Sequence, residues 1–120
     1  MAGLLLIADD EWVQNDVAAA LADPSLTLEI ESDPRAAVAR ASEERFAWAI
    51  VDLQVGSMGG MAVVRALRNA IAAGQIEDMG LILLLDRDAD RFIAKRAGVD
   101  AAVVKPFTAQ QLRACLTQAV

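Results

Sequence analysis

The chain has no histidine and no tyrosine, one cysteine, three prolines and only two lysines. Without histidine, imidazole acid–base catalysis and most transition-metal sites are excluded. Any chemistry falls to carboxylates, lysine, hydroxyls and an oxygen-loving cation. The single cysteine, Cys115, cannot close an internal disulfide, which agrees with a reducing cytoplasm. It stands at helical spacing from Leu112 and Leu116 and reads as core filler. No apolar run approaches the roughly 18 residues of a membrane span. The start, "MAGLLLIADDEW", has no basic region and meets acids at once, unlike a secretory signal. Basic residues form no cluster and the formal charge is −6, so direct nucleic-acid binding is not expected.

What is present is alternation. The 120 residues are expected to form one domain, 1–120, with no linker, repeat or low-complexity segment. Apolar runs at 3–8, 26–31, 48–53, 81–85 and 100–104 read as strands. Segments 11–23, 34–44, 108–119, the stretch after Gly60 and "DADRFIAKRAG" carry helical period. Val13, Val17, Ala20 and Leu21 mark one buried face, and Met61, Val64, Leu67 and Ile71 another. Asp33 with Pro34 predicts a helix start, Gly98 a helix end, and Thr108 an N-cap. "LTLEIE" alternates like an edge strand, whereas "LILLL" is apolar throughout like a central parallel one. The pattern predicts an α/β fold, (βα)5, with a five-stranded parallel sheet and helices on both faces.

In open α/β sheets, ligands bind beyond the carboxyl ends of the strands. There the sequence collects its charge: Asp9, Asp10 and Glu11 after the first run, Asp52 after the third, Asp86 after the fourth, Lys105-Pro106 after the fifth. Two carboxylates about 5 Å apart at an effective dielectric of about 20 repel by roughly 3 kcal/mol. Gathering three calls for a cation or a raised pKa. Mg²⁺ suits such a place, since it takes oxygen ligands, waters and a phosphate. Lys105 is one of only two lysines and can meet a phosphoryl oxygen as a point charge. Each acid alone is equally an ordinary helix cap; the conjunction is what points to a site.

Three segments carry a family resemblance. "LLIADDE", "VDLQVGSMGGM" and "VVKPFTAQQL" resemble the acidic pair, the phosphoacceptor segment and the K-P-F segment of bacterial two-component receiver domains, and the likeness runs the full length. The resemblance implies a doubly wound, flavodoxin-like sheet of order 2-1-3-4-5. It implies Asp52 as acceptor of a phosphoryl group from a sensor histidine kinase, and Lys105 as its phosphoryl contact. Asp10, Asp52 and the main-chain carbonyl of Gln54 would ligate Mg²⁺, with Asp9 holding a metal-bound water. Such a domain is not an enzyme; it is cytoplasmic and signals to an output protein or output domain. The last two helices and fifth strand, with Phe107 and Arg113, form a candidate partner or homodimer surface.

The chain departs from the family at switch positions. Where receivers carry Thr or Ser after the fourth strand, Asp86 stands here. An ionised carboxylate cannot donate a hydrogen bond, and about 5 Å from a doubly charged phosphoryl it is repelled by roughly 7 kcal/mol at a dielectric of about 20. Asp86 is therefore expected to turn away and cap the next helix. Other placements are a pair with Arg87 or a part in the metal site. Ala102 replaces the usual aromatic of the fifth strand, and Gly56 replaces a proline, which predicts a freer loop. The fourth helix is expected to be short. Trp12 either covers part of the pocket or packs on the next loop. The alternative function is a pseudo-receiver, a docking module that is never phosphorylated. A Mg²⁺-dependent phosphohydrolase is less well supported, because Gln54 stands where such enzymes add a second acid. "ADDEWV" lacks the glycines of a dinucleotide-binding turn.

Overall fold

Strands form where the apolar runs were read, and the continuous runs of the third and fourth strands are buried on both faces. The computed structural model describes residues 2–117. The strands are β1 Ala2–Ile7, β2 Leu26–Glu31, β3 Trp48–Asp52, β4 Gly80–Leu85 and β5 Ala101–Val104. They form one sheet in the order β2-β1-β3-β4-β5, every pair parallel, as the resemblance implied. β2 is an edge strand, and β4 lies between β3 and β5 with Leu81 to Leu85 fully buried.

Period-two alternation divides the core into two layers. Leu5, Ile7, Ala49, Val51, Leu81, Leu83 and Leu85 face one layer. It is covered by α2 (Ala37–Glu43), α3 (Gly60–Ala72) and α4 (Arg91–Ala97). Leu4, Leu6, Trp48, Ile50, Ile82, Leu84, Ala101 and Val103 face the other. That layer is covered by α1 (Glu11–Ala20) and α5 (Ala109–Cys115), with Cys115 buried in it as expected.

Helix ends follow local chemistry. Asp10 caps α1 through a 2.8 Å bond from the Trp12 N–H, and the helix stops earlier than the predicted residue 23. Asp33 accepts from the Arg35 N–H at 3.0 Å. The predicted helix 34–44 begins with a 3-10 turn, Pro34–Ala36, before α2. A second 3-10 turn, Asp88–Asp90, precedes the seven-residue α4, which ends at Gly98 with φ +101°. The fourth helix is thus short, as expected. Thr108 opens α5 in a full capping box with Gln111. The last residues of the predicted helix 108–119 lie outside the described residues.

The core face of α3 differs from the expectation. Val63, Val64, Leu67 and Ala70 are buried, while Met61 and Ile71 are half-buried and pack in from the flanks. The helix starts hard against β3: a Cβ on Gly60 would lie 2.6 Å from the Asp52 carbonyl oxygen and 2.7 Å from Leu53 Cα. Those are backbone atoms and cannot swing aside. Gly60→Ala is expected to destabilise the protein by about 2–3 kcal/mol through overpacking; urea denaturation measures it.

Candidate functional site

The same alternation that builds the core delivers the site. Asp52 continues the Trp48–Ile50 series, Asp86 the Ile82–Leu84 series and Lys105 the Ala101–Val103 series. All three leave the carboxyl edge of the sheet on the face that α1 and α5 cover. Strand register completes the alignment: Asp52 pairs with Leu84, and the Lys105 N–H donates to Leu85 O at 2.7 Å.

Asp52 is 1% exposed, the most buried charged group among the described residues. Its Oδ1 accepts from Lys105 Nζ at 2.5 Å and from the Gln54 N–H at 3.2 Å. Its Oδ2 is buried with no hydrogen-bond partner among the described residues. Lys105 Nζ also lies 3.3 Å from Asp86 Oδ1. Burial works against the Lys105 charge, but the hydrogen bond and charge of Asp52, then the charge of Asp86, outweigh it. The ammonium is held above the ordinary lysine pKa.

Asp86 does not cap the following helix. The 3-10 turn Asp88–Asp90 has Arg87 at its N-cap with no side-chain cap bond, and Arg87 pairs with Asp90 at 3.0 Å. Asp86 instead enters the pocket, where Lys105 takes one oxygen and Gln54 Nε2 donates to the other at 2.7 Å. The Coulombic gain at Lys105 outweighs that of an exposed cap. Gln54, expected to contribute only its main-chain carbonyl, thus also places its side chain in the pocket. Its spacing two residues after Asp52 was the available signal.

The loop after Asp52 is also less free than its glycine suggested. The Gly56 N–H donates to Asp9 Oδ2 at 3.0 Å, and a Cβ there would come within 2.7 Å of the same oxygen. A proline would have neither the donor nor the room. Met58 N donates to Gly56 O at 2.7 Å, closing a tight turn across Ser57, whose φ is +61°. Trp12 is 80% exposed and covers no part of the pocket. Phe107 is half-buried against the α1/α5 layer, and exposed Arg113 donates to Ala20 O at 2.8 Å.

Asp9 and Asp10 each commit an oxygen to a backbone N–H, on Gly56 and Trp12. Among the described residues, no three His, Cys, Asp or Glu side chains stand close enough to hold a metal ion by themselves. The donor chemistry nevertheless fits a hard cation. All the groups are oxygens, and Asp52 Oδ2 is a buried carboxylate oxygen with no hydrogen-bond partner among the described residues.

A family model, response regulator receiver domain, matches residues 4–117. The chain belongs to that family. Receiver domains are signalling domains of two-component systems. The chain is 28% identical over 115 residues to the two-component response regulator PhoP of Pseudomonas aeruginosa, covering 94% of this chain and 49% of that protein. It is 28% identical over 113 residues to the transcriptional regulatory protein HprR of Escherichia coli, covering 92% and 48%. This receiver domain therefore spans about half the length of those relatives. Among solved structures, chemotaxis protein CheY4 of Vibrio cholerae superposes with a TM-score of 0.84 at 26% identity, over 100% of this chain and 99% of that one. The receiver domain of a Pseudomonas aeruginosa sensor histidine kinase, with magnesium coordinated in its active site cleft, shares the fold. Its TM-score is 0.79 at 22% identity, over 96% and 93% of the two chains.

The Asp52–Lys105 pair is the element of the site that stability measurements can isolate. Lys105→Met leaves Asp52 buried and unpaired, and is expected to cost about 3 kcal/mol at neutral pH. In an Asp52→Asn background the same change should cost far less, so urea titration of the four proteins gives the coupling. Because the Lys105 pKa is raised, its stabilisation is complete below the ordinary value of 10.5 and is lost as pH climbs through the raised one.

Proposed function

We propose that this receiver domain accepts a phosphoryl group on Asp52 from the phosphohistidine of a sensor histidine kinase, and passes the signal on by protein–protein contact. One observation carries the reading: a carboxylate buried at a strand end, with an ammonium on one oxygen and no hydrogen-bond partner on the other among the described residues.

In the transfer, the Asp52 carboxylate forms a new O–P bond as the N–P bond of the donor breaks. The electron pair stays on the donor imidazole, which takes up a proton. Phosphoryl transfer is mostly positioning and charge neutralisation, so the protein's work is to hold Asp52 rigid and bring a cation to it. β3 and the packed start of α3 supply the rigidity, and Lys105 supplies the cation. Asp9, Asp10, Asp52 and the Gln54 carbonyl are the oxygens that would hold Mg²⁺, whose charge would offset that of the phosphoryl oxygens.

The partners follow from this reading: a sensor kinase on one side, and an output domain or output protein on the other. The net charge of −6 speaks against direct nucleic-acid contact. Exposed Phe92 and Ile93 on α4, beside β5 and α5, make that region the candidate surface for an output partner or a second copy. We assign the cytoplasm as its location. The one cysteine is a buried thiol, and no helix among the described residues is long and apolar enough to cross a membrane.

Asp86 favours a second reading, a docking module that is never phosphorylated, because a carboxylate already sits on Lys105. Incubation with Mg²⁺ and acetyl phosphate, followed by intact mass, separates the two. The wild type is expected to gain one phosphoryl group and Asp52→Asn none. No gain from acetyl phosphate or from any sensor kinase would leave the docking module.

A further inference from the structure

Four residues of the pocket close a ring. Lys105 Nζ is 2.5 Å from Asp52 Oδ1 and 3.3 Å from Asp86 Oδ1. Asp86 Oδ2 accepts from Gln54 Nε2 at 2.7 Å, and the Gln54 backbone N–H returns to Asp52 Oδ1 at 3.2 Å. Both oxygens of Asp86 are engaged, which draws the carboxylate, still 36% exposed, over the pocket. Its neighbour Arg87 is occupied by Asp90. Among the recorded ion pairs of the described residues, Lys105 is the cation that Asp86 meets.

We propose that Asp86 is a resident anion that restrains phosphorylation of Asp52: latched by Gln54, it holds the ammonium that an incoming phosphoryl group needs. The proposal rests on the phosphoacceptor reading above and adds a specific restraint to it.

The physical reasoning concerns charge and geometry. A phosphoryl group brings about two negative charges to the pocket. Lys105 is then asked to serve Asp52, Asp86 and the phosphoryl oxygens with one positive charge. Either the ammonium leaves Asp86, stranding a half-exposed carboxylate beside the new anion, or it stays and neutralises the phosphoryl only in part. Both alternatives raise the free energy of the phosphorylated form relative to a pocket with an uncharged residue at this position. Gln54 is a positioning residue here, because its amide keeps Asp86 over the pocket. An asparagine at position 86 keeps the shape, and its carbonyl oxygen can still accept from Gln54, but the charge is gone. Threonine also removes the charge and supplies a hydroxyl donor.

The test compares wild type, Asp86→Asn and Asp86→Thr under Mg²⁺ and acetyl phosphate, with intact mass followed to steady state. Circular dichroism confirms that each variant is folded. At equal donor concentration, Asp86→Asn is expected to raise the ratio of phosphorylated to unphosphorylated protein at least about tenfold. Asp86→Thr should move it in the same direction, and decides the matter if Asp86→Asn does not fold. Gln54→Leu, which frees Asp86 without neutralising it, should give a smaller rise. A mass gain in the Asp86 variants but not in wild type supports the restraint against this donor, with a sensor kinase then left as the donor for wild type. A ratio unchanged or lowered in both Asp86 variants, with wild type phosphorylated, overturns the restraint and leaves the phosphoacceptor reading standing. No phosphoryl group on any of the three proteins overturns both.

Discussion

A carboxylate closed off from water at the end of a buried strand is unfavourable to fold around. Asp52 is tolerated because an ammonium reaches it from two strands away. The Lys105 Nζ lies 2.5 Å from Asp52 Oδ1, bridging β3 to the end of β5 past the end of β4. Taking either charge out of water alone costs several kcal/mol, and the pair offsets that only while the geometry holds. The surrounding architecture holds it. α3 is pressed onto the Asp52 peptide by a glycine start, and the Lys105 backbone is hydrogen-bonded to the last residue of β4.

The loops around this pair are built by the same need to satisfy charge. Asp9 takes the Gly56 N–H, Asp10 takes the Trp12 N–H, and Asp86 takes Gln54 and Lys105. Carboxylates that face one edge repel, so Asp9 and Asp10 each take a separate donor, whereas Asp52 and Asp86 share Lys105. Two departures from the family pattern then become one local structure. Gly56 in place of proline gives Asp9 a donor, and Asp86 in place of a hydroxyl gives Lys105 a second anion. The third departure is filled differently. Ala102, where receivers carry a ring, is half-buried against the α3/α4 layer, and its carbonyl accepts from Arg91 Nη1 at 3.0 Å.

Much of this was legible in residue order. Strand positions followed from apolar runs, and the C-terminal edge from the acids and lysine that end them. Thr108, Asp33 and Gly98 marked helix ends because caps are local chemistry. Two readings failed, and both depended on residues far apart in the chain. Asp86 was expected to cap its own helix, but its partners are Lys105 and Gln54. Gly56 was expected to loosen its loop, but its N–H meets Asp9, 47 positions away. No local rule carries that information, because backbone propensity does not say which distant donor will be nearest. The face of α3 also differs from the reading: Val63 and Ala70 are buried beside Val64 and Leu67, while Met61 and Ile71 are only half-buried.

By itself, the sequence determined the alternation of strands and helices, the parity that sends Asp52, Asp86 and Lys105 to one face, and the oxygen-rich chemistry of the edge. Those follow from the period of a strand and the valence of side chains, which are local properties. Only the tertiary structure decided which oxygen meets which donor: the shared Lys105, the Gln54 latch and the unpartnered Asp52 Oδ2. A hydrogen bond forms only when donor and acceptor come within about 3.2 Å, so pairing is settled by the distances between strand ends, and those exist only once the sheet is assembled.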